Sequence, residues 1–176
     1  MTINEEMDCI IREAVPSDAE GVINLINRTA TQTGFMTQGD EGFSLSVAEE
    51  AKELDKIYAS ENNSVIVAVV NGQIIGIASI SGSSKPKIRH IGDIGIVIDQ
   101  PFWGMGLGRM MMTELLEWAE SSDVLKRLQL QVQRRNTRAR KLYETLGFKL
   151  EAILEYGVKD NGEYLDVCQM SKLINL

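Results

Sequence analysis

The apolar positions change period along the chain, and those changes divide it into elements. Cys9 to Ala14 reads as a short strand, punctuated by Val15-Pro16-Ser17-Asp18, where Ser17 or Asp18 is placed to cap a helix. Ala19, Val22, Ile23, Ile26 and Ala30 then recur at three and four residues, which predicts a helix with one apolar stripe running to about Thr31. After a looser stretch, Gln32 to Ser44, the set Val47, Ala51, Leu54, Ile57 and Tyr58 predicts a second helix. Ser64 to Val70 and Gln73 to Ile80 are dense in Val and Ile and flank Asn71-Gly72, the signature of a two-residue hairpin. A further strand runs from His90 to Ile98 and stops at Asp99-Gln100-Pro101. Beyond a glycine-rich turn, Met110 to Ser121 reads as a helix, Arg127 to Gln133 as a strand, and Thr137 to Leu146 as a helix closed by Gly147. Two closing strands turn at Lys159-Asp160-Asn161-Gly162. The predicted order is strand, two helices, three strands, helix, strand, helix, two strands. It implies an α/β (α+β) fold in one domain over 1–176, because no repeat, biased tract or linker divides it.

Composition narrows the function classes. A chain of 176 residues, 44% hydrophobic and 24% charged with three prolines, can bury a core without staples and is neither collagenous nor disordered. A net charge of −7 argues against nucleic acid as a partner, since phosphate binding needs a basic face. Cys9 and Cys168 stand far apart with no metal-ligand spacing around them, so neither a disulfide framework nor a metal site is expected and a reducing cytoplasm is the expected location. The acidic start Met1-Thr2-Ile3-Asn4-Glu5-Glu6 lacks a signal-peptide pattern, and no apolar run approaches the roughly 18 residues of a membrane helix, so no membrane association is expected.

The stretch Gln32 to Ser44 holds Gly34, Gly39 and Gly42 with Phe35, Met36 and Phe43, and reads either as a connecting loop or as a ligand gate. More informative is Trp103-Gly104-Met105-Gly106-Leu107-Gly108-Arg109, between a strand and a helix. Alternate glycines let successive N–H groups converge, and a helix start adds positive potential, so such a turn binds phosphate or pyrophosphate. It is not a Walker loop, since no Gly-Lys-Ser/Thr follows, and the third glycine of the dinucleotide fingerprint would fall at Arg109. Read without a ligand, the same loop is a tight turn. Directly after it, Lys126 to Lys141 carries seven basic residues and no acidic one, an island suited to a polyphosphate or, alternatively, a solvated helix face.

Within the island, the run Arg135-Asn136-Thr137-Arg138-Ala139-Arg140-Lys141-Leu142-Tyr143-Glu144-Thr145-Leu146-Gly147-Phe148 resembles the Asn-x-x-Ala-x-x-Leu-Tyr-x-x-x-Gly-Phe signature of the GNAT superfamily of N-acetyltransferases. Ile11 to Ala19 resembles the family's opening strand and helix entry, and Asp93-Ile94-Gly95-Ile96-Val97-Ile98 its fourth strand. The glycine loop resembles its acetyl-CoA pyrophosphate loop, Arg/Gln-x-x-Gly-x-Gly/Ala. The likeness spans about residues 10 to 173.

The resemblance implies a mixed, mostly antiparallel sheet of six to seven strands flanked by about four helices, whose fourth and fifth strands run parallel and splay apart to admit acetyl-CoA. The backbone of Ile96, Val97 and Ile98 then pairs with the pantetheine arm. The N–H groups of Gly104, Met105, Gly106, Leu107, Gly108 and Arg109 meet the pyrophosphate, and the Asn136 side chain bonds the amide arm. Trp103 departs from the pattern, standing where the family has Arg or Gln, so one phosphate contact must come from Arg109 or the basic island. A homodimer is an assembly common in the family.

Acetyl transfer needs an unprotonated amine, a donor for the developing oxyanion and an acid for the thiolate. The family places its catalytic tyrosine at Tyr143, a phenol that stays protonated at neutral pH and otherwise packs between helix and sheet. Where some relatives carry a Glu base on the fifth strand this chain has Gln131, which leaves Asp93 or His90 as proton acceptor, unless both are structural. Met110, Met111 and Met112 form a ligand wall or ordinary packing. Gly162-Glu163-Tyr164-Leu165-Asp166 resembles the Gly-x-Tyr-x-Asp stretch of relatives acting on small amines, amino acids or protein N-termini, so that Tyr164 and Asp166 either line the acceptor side or face solvent. The function implied is direct transfer of acetyl from acetyl-CoA to a primary amine, without metal. Its rival is a noncatalytic acyl-CoA sensor.

Overall fold

Asn71 and Gly72 both take positive φ, 50° and 76°, which is the left-handed pair a two-residue hairpin requires. They join β2 (Ser64–Val70) to β3 (Gln73–Gly82) in a computed structural model that describes residues 8–32 and 44–176. Around that hairpin, β1 (Cys9–Glu13) pairs with β2, and β4 (Ile91–Ile98) pairs with β3, all antiparallel. A second block contains β5 (Arg127–Gln133), β6 (Lys149–Asp160) and β7 (Glu163–Leu173), with Asn161 and Gly162 repeating the positive-φ turn at 49° and 76°. The strand order is β1-β2-β3-β4-β5-β7-β6, and β4 with β5 is the one parallel pair. The expected mixed sheet of the resemblance is therefore present, with seven strands.

Among the described residues four helices cover it: α1 (Ala19–Ala30), α2 (Val47–Tyr58), α3 (Leu107–Glu120) and α4 (Thr137–Thr145). On one face α3 and α4 bury Met111, Met112, Leu115 and Tyr143 against Ala78, Ile80, Leu128 and Met170, with Ile94, Ile96 and Ile98 of β4 packed alongside. On the other, α1 and α2 bury Val22, Leu25 and Leu54 against Val65, Val67 and Ile74. Because side chains alternate along a strand, Asp93, Gly95 and Val97 of β4 face the second side. Truncating a fully enclosed residue such as Leu54 to Ala costs about 3 kcal/mol.

Several elements differ in detail from their expectation. The α1 stripe includes Leu25, fully buried, and Thr29, whose hydroxyl donates to the Leu25 carbonyl at 2.8 Å, whereas Ile23 and Ile26 are only partly covered. Asp18 makes no side-chain cap; its carboxylate turns back to accept from the Val15 N–H at 2.8 Å and pairs with both Arg12 nitrogens at 2.7 and 2.9 Å. The cap that does form, unread in the sequence, is at Ser46, which accepts from the Glu49 N–H while Glu49 accepts from the Ser46 N–H. His90 falls just outside β4, its carbonyl accepting from the N–H groups of Lys126 and Arg127. Met111 and Met112 are core residues and Met110 is exposed, so that run is packing. Gly34, Phe35, Met36, Gly39, Gly42 and Phe43 lie outside the described residues. No described helix is long and apolar enough to cross a membrane.

Candidate functional site

Only three residues of β4 pair with β5: Ile91 with Arg127, Gly92 with Leu128 and Asp93 with Gln129. Beyond Asp93 the strands part. β4 continues against β3 to Ile98, and β5 continues against β7 to Gln133, so a wedge opens between them. The Asp99 N–H donates to the Ile75 carbonyl at 2.8 Å in continuation of the β3–β4 register. Hydrogen-bonded pairs alternate along an antiparallel ladder, which assigns Val97 and Gly95 to bonds with β3 and turns the N–H and C=O groups of Ile94, Ile96 and Ile98 toward the wedge.

A cavity of about 520 Å³ occupies the wedge on the α3 and α4 side. Ile96 and Ile98 form one wall, Gly104, Gly106, Leu107, Gly108 and Arg109 the end, and Asn136, Ala139, Leu142 and Tyr143 the facing helix. Asn136, Ala139 and Tyr143 share a helical face at three- and four-residue spacing. Of the expected contacts, Val97 and Met105 do not line the cavity, and the ladder alternation explains Val97. Phe102 and Leu142 line it as well, neither of them among the expected cofactor contacts, although the signature and the apolar spacing of α4 both point at Leu142.

The glycine loop is built for close approach. Gly104 and Gly106 have φ of 79° and 80°, and Gly106 is the left-handed N-cap of α3. A Cβ at Gly108 would sit 3.3 Å from Leu142 Cδ2 and 3.6 Å from Ile98 Cδ1, so a glycine lets α3, α4 and β4 converge at one point. The first intrahelical bond runs from the Met110 N–H to the Gly106 carbonyl, which leaves the N–H groups of Leu107, Gly108 and Arg109 as the helix's unpaired start. Trp103 carries its indole to the Ile98 carbonyl, where Nε1–H donates at 2.7 Å. Arg138 extends its guanidinium over the loop, 3.5 Å from where a Gly104 Cβ would be. Arg134 and Arg135, by contrast, pair with Asp166 and Asp160.

Asn136 caps α4, its Oδ1 accepting from the Ala139 N–H at 3.3 Å, which leaves its amide NH₂ as the group available to a ligand. Tyr143 is 7% exposed and packs edge-on against Phe148, with centroids 6.0 Å apart. Burial pushes its phenol up to about 12. Every enclosed side-chain polar atom among the described residues has a hydrogen-bond partner, and the Tyr143 hydroxyl makes no such bond, so it opens on the cavity it lines.

Asp93 lies at the wedge apex on the opposite face, exposed, accepting from Gln129 Nε2 at 2.8 Å. Gln129 in turn accepts from Arg127 Nε, and Arg127 grips Glu151 with both guanidinium NH₂ groups, at 2.6 and 2.7 Å. Gln131 donates to Gln169 at 3.1 Å. Tyr164 is exposed against Tyr156, and Asp166 accepts from the Tyr156 N–H at 3.2 Å, at the bulge of β6. No cluster of metal-ligating side chains occurs among the described residues.

Residues 33–148 match the family model described as the acetyltransferase (GNAT) family. The chain is 39% identical to an acetyltransferase of the GNAT family from Streptococcus pneumoniae, whose crystal structure superposes with a TM-score of 0.93 over 96% of this chain and 100% of that one. It is 29% identical to the L-amino acid N-acetyltransferase AaaT of Escherichia coli strain K12 over 61% of this chain and 67% of that protein. The structure of yncA from Salmonella typhimurium, solved with its cofactor acetyl-CoA, has the same fold at 19% identity, with a TM-score of 0.84 over 96% of this chain and 95% of that one.

Proposed function

The chain belongs to the GNAT family of acetyl-CoA-dependent N-acetyltransferases, and from that premise we propose how its residues move acetyl to a primary amine by direct attack. The observation that carries this reading is the wedge itself, a slot that ends β4–β5 pairing at Asp93 and Gln129 and holds the Tyr143 hydroxyl, the glycine loop and Asn136 around one cavity. The wedge fits acetyl-CoA by the chemistry of its donors. Free helix N–H groups at Leu107, Gly108 and Arg109, with the Arg109 and Arg138 guanidiniums, suit a pyrophosphate. Arg138 takes over the contact that Trp103 cannot make. Ile96 offers an unpaired N–H and C=O to the amide arm, and Asn136 adds its NH₂.

Bound acetyl-CoA supplies an activated thioester, and this chain's residues handle the protons. Tyr143 holds its proton at Oη throughout the neutral range and delivers it to the departing sulfur. Asp93, on the other face at the apex, takes the amine's proton at a carboxylate oxygen, directly or through water, with Gln129 orienting it. Donor and acceptor on opposite faces keep the two protons apart. Gln131, occupied with Gln169, takes no part. The sensor reading is not favoured, because the matched relatives are named as transferases and a sensor has no use for an acid open to the cavity.

The acceptor class to test first is the α-amine of an L-amino acid, on which the E. coli relative is named to act. The chain acts in a reducing cytoplasm, consistent with free thiols at Cys9 and Cys168. Assembly as a homodimer belongs to the same proposal, and molar mass by light scattering decides it. Acetyl-CoA affinity by calorimetry, together with CoA thiol release across amino acids and simple amines, tests the whole. Amine-dependent release supports transfer, and binding without release returns the sensor.

A further inference from the structure

The cavity face of the wedge is occupied by the cofactor in the reading above, so an amine must arrive from the side of α1 and α2. On that side β4 presents Asp93, Gly95 and Val97 along the open slot. Among the described residues, nothing requires glycine at position 95. Its φ is not positive, and among the described residues a Cβ there would touch one atom, Ser79 Oγ, at 3.5 Å, an ordinary contact. Gly92 in the same strand is different, since its Cβ would stand 2.6 Å from Ile80 Cγ2 and 3.2 Å from Leu128 Cδ2. Packing among the described residues thus requires the one glycine and is indifferent to the other. Glycine in a strand interior costs backbone freedom and packing, so the gap at 95 has no return among the described residues.

We infer that Gly95 is the aperture through which the acceptor nitrogen reaches the wedge, making it a specificity-determining position for unhindered primary amines. This rests on the acetyl-transfer reading. The nitrogen enters between Asp93 and Val97, beside the carboxylate that both attracts its ammonium form and takes its proton. A side chain at 95 projects into that path and leaves the cofactor cavity on the opposite face untouched.

Gly95→Ala and Gly95→Val test it against the wild type, with acetyl-CoA affinity by calorimetry, Tm, and steady-state kinetics of CoA release on the twenty L-amino acids and n-butylamine. The expected result is an acetyl-CoA Kd within about twofold and a Tm equal or higher in both variants. With them, kcat/KM for the best amine falls about tenfold in Ala and at least a hundredfold in Val, with the amine KM carrying most of the Ala loss. Unchanged amine kinetics in a folded Gly95→Val overturn the inference while leaving transfer intact. So does a loss that tracks weaker acetyl-CoA binding, which would put position 95 on the cofactor side. A wild type that binds acetyl-CoA and acetylates nothing in the panel overturns the transfer reading, and this inference with it.

Discussion

The indole of Trp103 donates to the Ile98 carbonyl at 2.7 Å, joining the glycine loop to the end of β4. Ile98 is one of the residues whose backbone faces the wedge, so this bond occupies a ladder acceptor that the splaying of β5 leaves open. The tryptophan therefore replaces a charge in the loop with an anchor for it. Trp103→Phe keeps a ring and deletes the donor; an exposed neutral hydrogen bond is worth at most about 1 kcal/mol net, which predicts an acetyl-CoA Kd raised up to about fivefold by calorimetry.

In the proposed site Arg138 supplies the phosphate contact in place of position 103. Arg138→Ala is expected to raise the acetyl-CoA Kd about tenfold at low salt, with the difference shrinking as ionic strength rises. Adding Trp103→Arg to that variant should recover most of the loss. An equal Kd in wild type and Arg138→Ala would remove the side chain from the site.

Tyr143→Phe removes a proton donor and keeps nearly all the ring's contacts with Phe148. Turnover under saturating acetyl-CoA should fall by roughly 10² to 10⁴, with Kd and Tm little changed. Normal single-turnover rates would leave Tyr143 as packing. Its phenol, held up to about 12 by burial, also has a linkage signature. The unfolded phenol ionises near 10, so the native state alone keeps the proton above that. This contribution to stability is constant below about pH 10 and is lost between about 10 and 12, a loss that Tyr143→Phe abolishes in alkaline denaturation.

Asp99 is 4% exposed and ties α1 to the end of β4, accepting from Arg28 Nε at 2.8 Å and Gln32 Nε2 at 2.7 Å. Asp99→Ala leaves both donors without that acceptor, and urea melts should show a loss of about 2 to 3 kcal/mol. Asp99→Asn, which keeps an acceptor oxygen, should lose less.

Arg127 holds the Glu151 carboxyl down to about 2, with the Ser171 hydroxyl assisting. The native carboxylate is favoured over the unfolded one, so its contribution is complete above the ordinary glutamate value near 4.3 and disappears as pH falls through about 2. An NMR titration should find Glu151 protonating last among the glutamates, and Arg127→Gln should return its midpoint toward 4.3.

Local chemistry was legible in the sequence wherever it is carried by adjacent residues. Asn71-Gly72 and Asn161-Gly162 set their turns by φ alone, and Asn136 caps α4 as its position before Thr137 requires. Tyr143, Asn136 and the glycine loop except Met105 line one cavity. What escaped depends on distant partners. Asp18 looked like a helix cap, yet Arg12 claims its carboxylate. Leu25 is the exception, since its spacing of three from Val22 and four to Thr29 fits the helical period and its burial was there to be read. The Trp103 bond exists because the parting of β5 leaves the wedge-facing carbonyl of Ile98 without a partner strand on that side, and that follows from a register among three strands rather than from any run of residues.

The insertion of β7 between β5 and β6 has a consequence for how the protein is made. Strands β1 to β4 make most of their strand pairs with one another, so with helices α1 to α3 they can begin to collapse on the ribosome once α3 has emerged. β5 cannot be completed in the same way. Until β7 is extruded, its outer side is a raw edge of unpaired backbone from Arg127 to Gln133, beside a wedge that already holds its inner side apart. The part of the chain that frames the wedge is thus the last to become safe, and a nascent chain stalled before β7 would offer β5 to any passing strand.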